Sequence, residues 1–147
     1  MKRVDFYILE SADARERLKF ACRVIDKAFE AEQRVLVCLD SDADAASFDD
    51  LLWTFAQDSF VPHEVLNAES SWEETPVLLS AGRQAASAPD VIVNLGAAVP
   101  AGAPAAESVI EIIDADPARR QNGRTRWRQY KELGVEPVTH KVGGSGD

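Results

Sequence analysis

Arg34-Val35-Leu36-Val37-Cys38-Leu39 runs directly into Asp40-Ser41-Asp42-Ala43-Asp44. The first six residues are nearly all apolar and do not alternate, the pattern of a strand covered on both faces. Three of the next five are aspartates, which suits the positive end of a helix dipole. The helix that follows carries Phe48, Leu51, Leu52 and Phe55 at i, i+3, i+4 and i+7, one apolar stripe. A buried strand feeding an amphipathic helix is the unit of a parallel sheet.

Upstream the unit repeats. Val4 to Leu9 reads as a strand, and Glu10-Ser11-Ala12-Asp13 offers N-cap residues. A helix then extends to about Ala31, with Ala14, Leu18, Cys22, Ile25 and Phe29 expected on its buried stripe. Arg15, Glu16, Arg17, Lys19, Arg23, Asp26 and Lys27 are expected on its solvated face.

Downstream, Phe60 to Leu66 is extended, and Pro62 assigns it to an edge. Asn67 to Glu74 is a polar, flexible loop in which Trp72 either packs back or stays exposed. Val77 to Ser80, Val91 to Leu95 and Val109 to Ile113 read as strands. Pro117 suits a first helical position and Gly134 a helix end, so the last helix covers 117–133, with Gly123 weakening its middle. Leu133 and Tyr130 are expected on its core side. Val138 to Val142 is a final edge strand. The expected architecture is one α/β domain over 1–142, a mainly parallel sheet with helices on both faces, followed by a flexible tail at 143–147.

Composition narrows the function. The chain has 147 residues, 46% hydrophobic and 28% charged, enough for a single core. Its net charge of −9 excludes a surface built as a whole to hold nucleic acid. No apolar run approaches the ~20 residues of a membrane span. The segment after Met1-Lys2-Arg3 is short and holds Asp5, so no signal peptide is read and the cytoplasm is expected. Cys22 and Cys38 lack metal or redox spacing and read as reduced core thiols. His63 and His140 have no ligand-spaced companions.

No cofactor is expected either. The turns after the first two strands are acidic and contain no glycine, whereas phosphates need close backbone approach and free N–H groups. The small-residue run from Gly96 to Gly102 reads as a connector. No P-loop or nucleophile-elbow motif occurs. Asp40, Asp42 and Asp44 lack the glycine and distal glutamate of a calcium loop.

Two local features remain. Trp53 breaks the apolar stripe of its helix, pointing roughly 140° away from Phe48. Phe60 follows just before Val61-Pro62. The pair reads equally as core or as a surface meant to be covered. The second feature is the last helix. From Pro117 to Lys131 it holds Arg119, Arg120, Arg124, Arg126, Arg128 and Lys131 and no acid, six of the chain's 16 basic residues. Arg120, Arg124, Trp127 and Lys131 share one stripe, flanked by Arg128. An aromatic among arginines suits an acidic, aromatic-bearing partner, and it also suits single-stranded DNA.

The run Leu52-Trp53, then Ser59-Phe60-Val61-Pro62-His63, in a chain opening Val4-Asp5-Phe6-Tyr7-Ile8-Leu9, resembles the chi subunit family of bacterial DNA polymerase III. The resemblance continues through Arg34 to Val37, Thr75-Pro76-Val77, Asp90 to Leu95 and the helix ending at Leu133-Gly134. It implies a Rossmann-like sheet without the nucleotide-binding glycine motif and a non-catalytic adaptor of the clamp-loader assembly. It implies that Trp53 and Phe60 dock the psi subunit. It also implies that Arg120, Arg124 and Trp127, with Thr139 on the next strand, hold the acidic C-terminal tail of single-stranded DNA-binding protein, which ends in phenylalanine. Arg128 and Lys131 would add longer-range attraction. Trp127 keeps the aromatic surface where the family more often has tyrosine. Nucleic acid would then be reached only indirectly, and no membrane is involved. The contrasting readings are a small nucleotide-dependent enzyme working at the strand-end loops and a direct single-stranded DNA binder.

Overall fold

The computed structural model describes residues 1–55 and 60–143. Ser59, part of the signature above, and residues 144–147 of the expected tail lie outside the described residues. The elements are β1 (Arg3–Leu9), α1 (Ala14–Glu30), β2 (Val35–Cys38), α2 (Asp42–Thr54), β3 (His63–Val65), β4 (Val77–Ser80), β5 (Val91–Asn94), β6 (Ser108–Ile113), α3 (Pro117–Glu132) and β7 (Val138–Val142). One short 3-10 turn, Ala103–Ala105, precedes β6.

The seven strands form one sheet in the order β3-β4-β2-β5-β6-β1-β7, and every pairing is parallel. The short β3 and the five-residue β7 are its two edges. The central strands are buried along both faces, as their unbroken apolar runs require.

Alternation along the strands divides the interior into two cores. Phe20, Ile25, Phe48, Leu52, Val37 and Val93 pack on the α1 and α2 face. Val4, Phe6, Ile92, Ile113 and Tyr130 pack on the α3 face. Helix starts follow the sequence signals. Asp13 accepts the Arg15 N–H, Ser41 the Asp44 N–H and Asp116 the Arg119 N–H. Gly134, at φ +94°, follows the α3 cap residue in a conformation that favours glycine.

Several side chains depart from the expected pattern, and Trp72 takes one of the two positions left open for it. The α1 stripe is rotated, so that Arg17, Phe20, Ala21, Cys22, Ile25 and Ala28 are buried while Ala14 is exposed. Arg17 goes inside because its Nε donates to the Ile112 carbonyl (2.8 Å) and Nη2 reaches the Leu95 carbonyl (3.4 Å), so its buried guanidinium has partners near the strand ends. Leu133 is exposed rather than core, because α3 ends there and the chain turns away at Gly134. Trp72 packs back, its indole N–H donating to the Ser87 carbonyl at 3.1 Å.

Candidate functional site

The α3 surface begins with how the helix is seated. A Cβ on Gly123 would come within 3.1 Å of Ile113 Cδ1, so glycine lets α3 lie close on β6. The sequence reading counted Gly123 only as a weakness. Beneath the helix the Glu111 carboxylate is fully buried. Its Oε2 accepts from Tyr130 Oη (2.7 Å), Asn94 Nδ2 (2.8 Å) and Arg126 Nε (3.0 Å). Its Oε1 makes no hydrogen bond but lies 3.0 Å from Arg126 Nη2, a charge contact. Burial and the Glu111 charge both push the Tyr130 hydroxyl far above its ordinary pKa, so it stays a donor.

The basic run therefore divides. Arg126 points inward to Glu111. Arg119 forms a two-bond pair with buried Asp114 at 2.8 and 2.7 Å. Burial raises the Asp114 carboxyl, but the bonds from Arg119 and the Asp116 N–H outweigh it and hold it below the usual carboxylate range. Arg120 is half-buried and braced by the carbonyls of Asp114 (3.1 Å) and Leu9 (3.4 Å). Arg124 and Arg128 are exposed, and neither forms an ion pair among the described residues.

Arg120, Arg124, Trp127, Arg128 and Thr139 come together around a groove of about 520 Å³. Its floor is Phe6, Ile8 and Ile113, with Gly123 leaving the floor open. Trp127 is half-buried against Phe6 (centroids 5.0 Å), and Phe6 meets Tyr130 edge-on at 5.9 Å. Lys131 is not among the lining residues, and its ammonium pairs with Glu136 at 3.8 Å. An apolar slot rimmed by guanidinium groups that form no ion pair among the described residues accepts a ring and carboxylates together.

A second surface lies at the opposite edge of the sheet. Trp53 is 46% exposed and Phe60 67% exposed, with ring centroids 5.4 Å apart. His63 on β3 supports Trp53 at 4.0 Å. That imidazole is buried and fixed by Val61 O at 2.7 Å and Asp49 O at 3.2 Å. Val65 is also exposed, and it shares the His63 side of β3 by alternation. The structure thus resolves the open reading of Trp53 and Phe60 in favour of a solvent-facing aromatic pair.

Sequence reasoning missed His63 as a support, Phe6 as a platform and Glu111 as the anchor of α3. Glu111 did carry a signal, since an acid inside an apolar strand needs a buried cation.

The strand ends hold two further clefts, of about 480 and 340 Å³. At the mouth of the smaller one Asp40 Oδ1 accepts the Ala97 N–H at 2.9 Å, and a Cβ on Gly96 would meet that oxygen. Burial pushes both thiols, Cys22 and Cys38, up to about 12. Among the described residues no group of three possible metal ligands occurs, and no helix is long and apolar enough to cross a membrane.

The family described as DNA polymerase III chi subunit, HolC, matches residues 1–138. The DNA polymerase III subunit chi of Pseudomonas aeruginosa is 33% identical, over 97% of this chain and 98% of its own length. That of Haemophilus influenzae is 27% identical over 97% and 99%. That of Escherichia coli is 24% identical over 91% and 94%.

Proposed function

The chain belongs to the DNA polymerase III chi subunit family, and from that membership we propose that it is a non-catalytic adaptor of the clamp-loader assembly in DNA replication. One surface, around Trp53 and Phe60, binds psi. The other, the α3 groove, binds the acidic tail of single-stranded DNA-binding protein. The protein thereby links the clamp loader to coated single-stranded DNA in the cytoplasm without holding the DNA itself.

The observation that carries this reading is the α3 groove. Exposed Arg124 and Arg128 and braced Arg120 surround an apolar floor with Trp127 at its side. That is the complement of a peptide with carboxylates and one phenyl ring. The net charge of −9 disfavours a long phosphate track as the alternative occupant. The two surfaces lie at opposite edges of the sheet, so one molecule can engage both partners.

The test is simultaneous occupancy. Sedimentation of the full chain with psi and a labelled tail peptide should give one ternary species. Mutual exclusion of the two ligands, or binding of neither, would defeat the adaptor reading.

A further inference from the structure

β7 ends the sheet and pairs with β1 on one side only. Its five residues, Val138–Val142, contain no proline, so alternate backbone N–H and C=O groups face outward along it. The register sets Thr139 beside Phe6 and His140 beside Tyr7. Successive strand residues point to opposite faces. Thr139 accordingly borders the α3 groove, while His140 and Val142 border another groove, of about 490 Å³, on the α1 face.

That α1-face groove has half-buried Tyr7, Val24 and Ile110 in it, with Arg23 and Lys27 one helical turn apart above them. Tyr7 stacks on His140 at 4.7 Å, and the Arg23 guanidinium lies over Phe20 at 5.7 Å. No aspartate or glutamate borders either groove among the described residues. Asp5, which touches His140, is engaged by Arg3 (2.8 Å) and by His140 itself (2.7 Å). Two grooves with aromatic walls and basic rims thus flank one open strand edge, on opposite faces of the sheet.

We propose that an acidic extended peptide docks here by adding a strand to β7. Its backbone pairs with the open edge, and its side chains alternate between the α3 groove and the α1-face groove. Carboxylates on one set of alternate residues meet Arg124 and Arg128. Those on the other set meet Arg23 and Lys27. Main-chain pairing supplies affinity and the flanking pockets supply sequence preference. This inference rests on the reading of the α3 groove as an acidic-tail site, and it adds the backbone pairing and the opposite face.

The experiment uses the full chain and a short oligo-aspartate peptide with a terminal phenylalanine, N-methylated at one backbone amide at a time. N-methylation at every second position should weaken binding about tenfold and in between should have little effect. Outward amides within Val138–Val142 should gain protection from hydrogen exchange in the complex. The double variant Arg23→Gln/Lys27→Gln should weaken binding about threefold, although it lies on the face opposite α3. Equal tolerance of N-methylation at all positions, with Arg124→Ala still weakening binding, would overturn the strand addition and leave the groove reading standing. A peptide that does not bind at all would overturn both. Protection of the β7 edge in the free protein that disappears on dilution would assign the edge to a second copy, and an oligothymidylate that displaces the peptide with the same Arg23 and Lys27 dependence would assign it to nucleic acid. Either result overturns the proposal.

Discussion

The two edges of the sheet are built from different physics. At the β3 edge, Trp53 and Phe60 stand in solvent next to each other, backed by a buried histidine. At the β7 edge, an apolar slot is rimmed by arginines, and its aromatic residues are half-buried or buried. The first surface gains by removing apolar area from water, which salt scarcely alters. The second gains by charge, which is screened over about 8–10 Å at physiological salt. The affinities of the two proposed partners would therefore respond separately to ionic strength.

The strongest way to break the contrast is to unseat α3. Glu111→Ala removes the carboxylate that collects Tyr130, Asn94 and Arg126, and leaves the Arg126 guanidinium buried without a counter-charge. The expected loss is about 3–5 kcal/mol of folding stability, measured by urea unfolding. A loss under about 1 kcal/mol would mean the network is ornamental and α3 is held by apolar packing alone.

The β3 edge is tested by Trp53→Ala and Phe60→Ala. Each should keep the wild-type unfolding midpoint, because these rings face solvent. Each should weaken the proposed psi complex by about 2 kcal/mol or more, the scale of an aromatic interface anchor. The loss should be the same at low and high salt. If either variant unfolds at lower urea, that ring supports the fold, and the edge is no docking surface for it.

At the β7 edge, Arg124→Ala should cost the tail peptide about 1–3 kcal/mol and flatten the dependence of affinity on salt. Trp127→Ala should cost a similar amount and leave that dependence nearly unchanged, since it removes packing rather than charge. Calorimetry at two salt concentrations separates the two. Equal salt slopes in both variants would erase the distinction drawn between ring and rim.

The sheet was legible in the sequence because its signals are local. Unbroken apolar runs such as Val35 to Leu39 specify a strand covered on both faces, and Asp13, Pro117 and Gly134 mark helix ends by chemistry that acts within a turn. Trp53 was legible as an outlier from its own helical stripe. What stayed hidden depends on partners distant in sequence. Arg17 and Arg126 look like solvated cations until the carbonyls of Ile112 and Leu95 and the carboxylate of Glu111 are brought to them. The same run of arginines thus contains two that hold the helix down and three that border the groove, a division that helical periodicity alone does not give. Gly123 is the converse case: its low helix propensity is visible, while the close approach to Ile113 is tertiary.

Lys131 gives the smallest expected effect and the sharpest test of how far along α3 the tail runs. It shares the helical stripe of Arg120, Arg124 and Trp127, so the sequence assigns it to the same site. In the structure its ammonium pairs with Glu136 at 3.8 Å, and the lysine is absent from the groove lining. Eleven residues at 1.5 Å per residue set it about 16 Å along the helix from Arg120, beyond one screening length. An exposed pair of this kind contributes about 0–1 kcal/mol. Lys131→Ala should therefore weaken the tail peptide by less than about 0.5 kcal/mol at physiological salt, with a slightly larger loss at low salt, where weaker screening lets its charge reach farther. A loss matching that of Arg124→Ala would place the peptide's carboxylates over the last turn of α3, and the site would then extend past the groove toward Glu136.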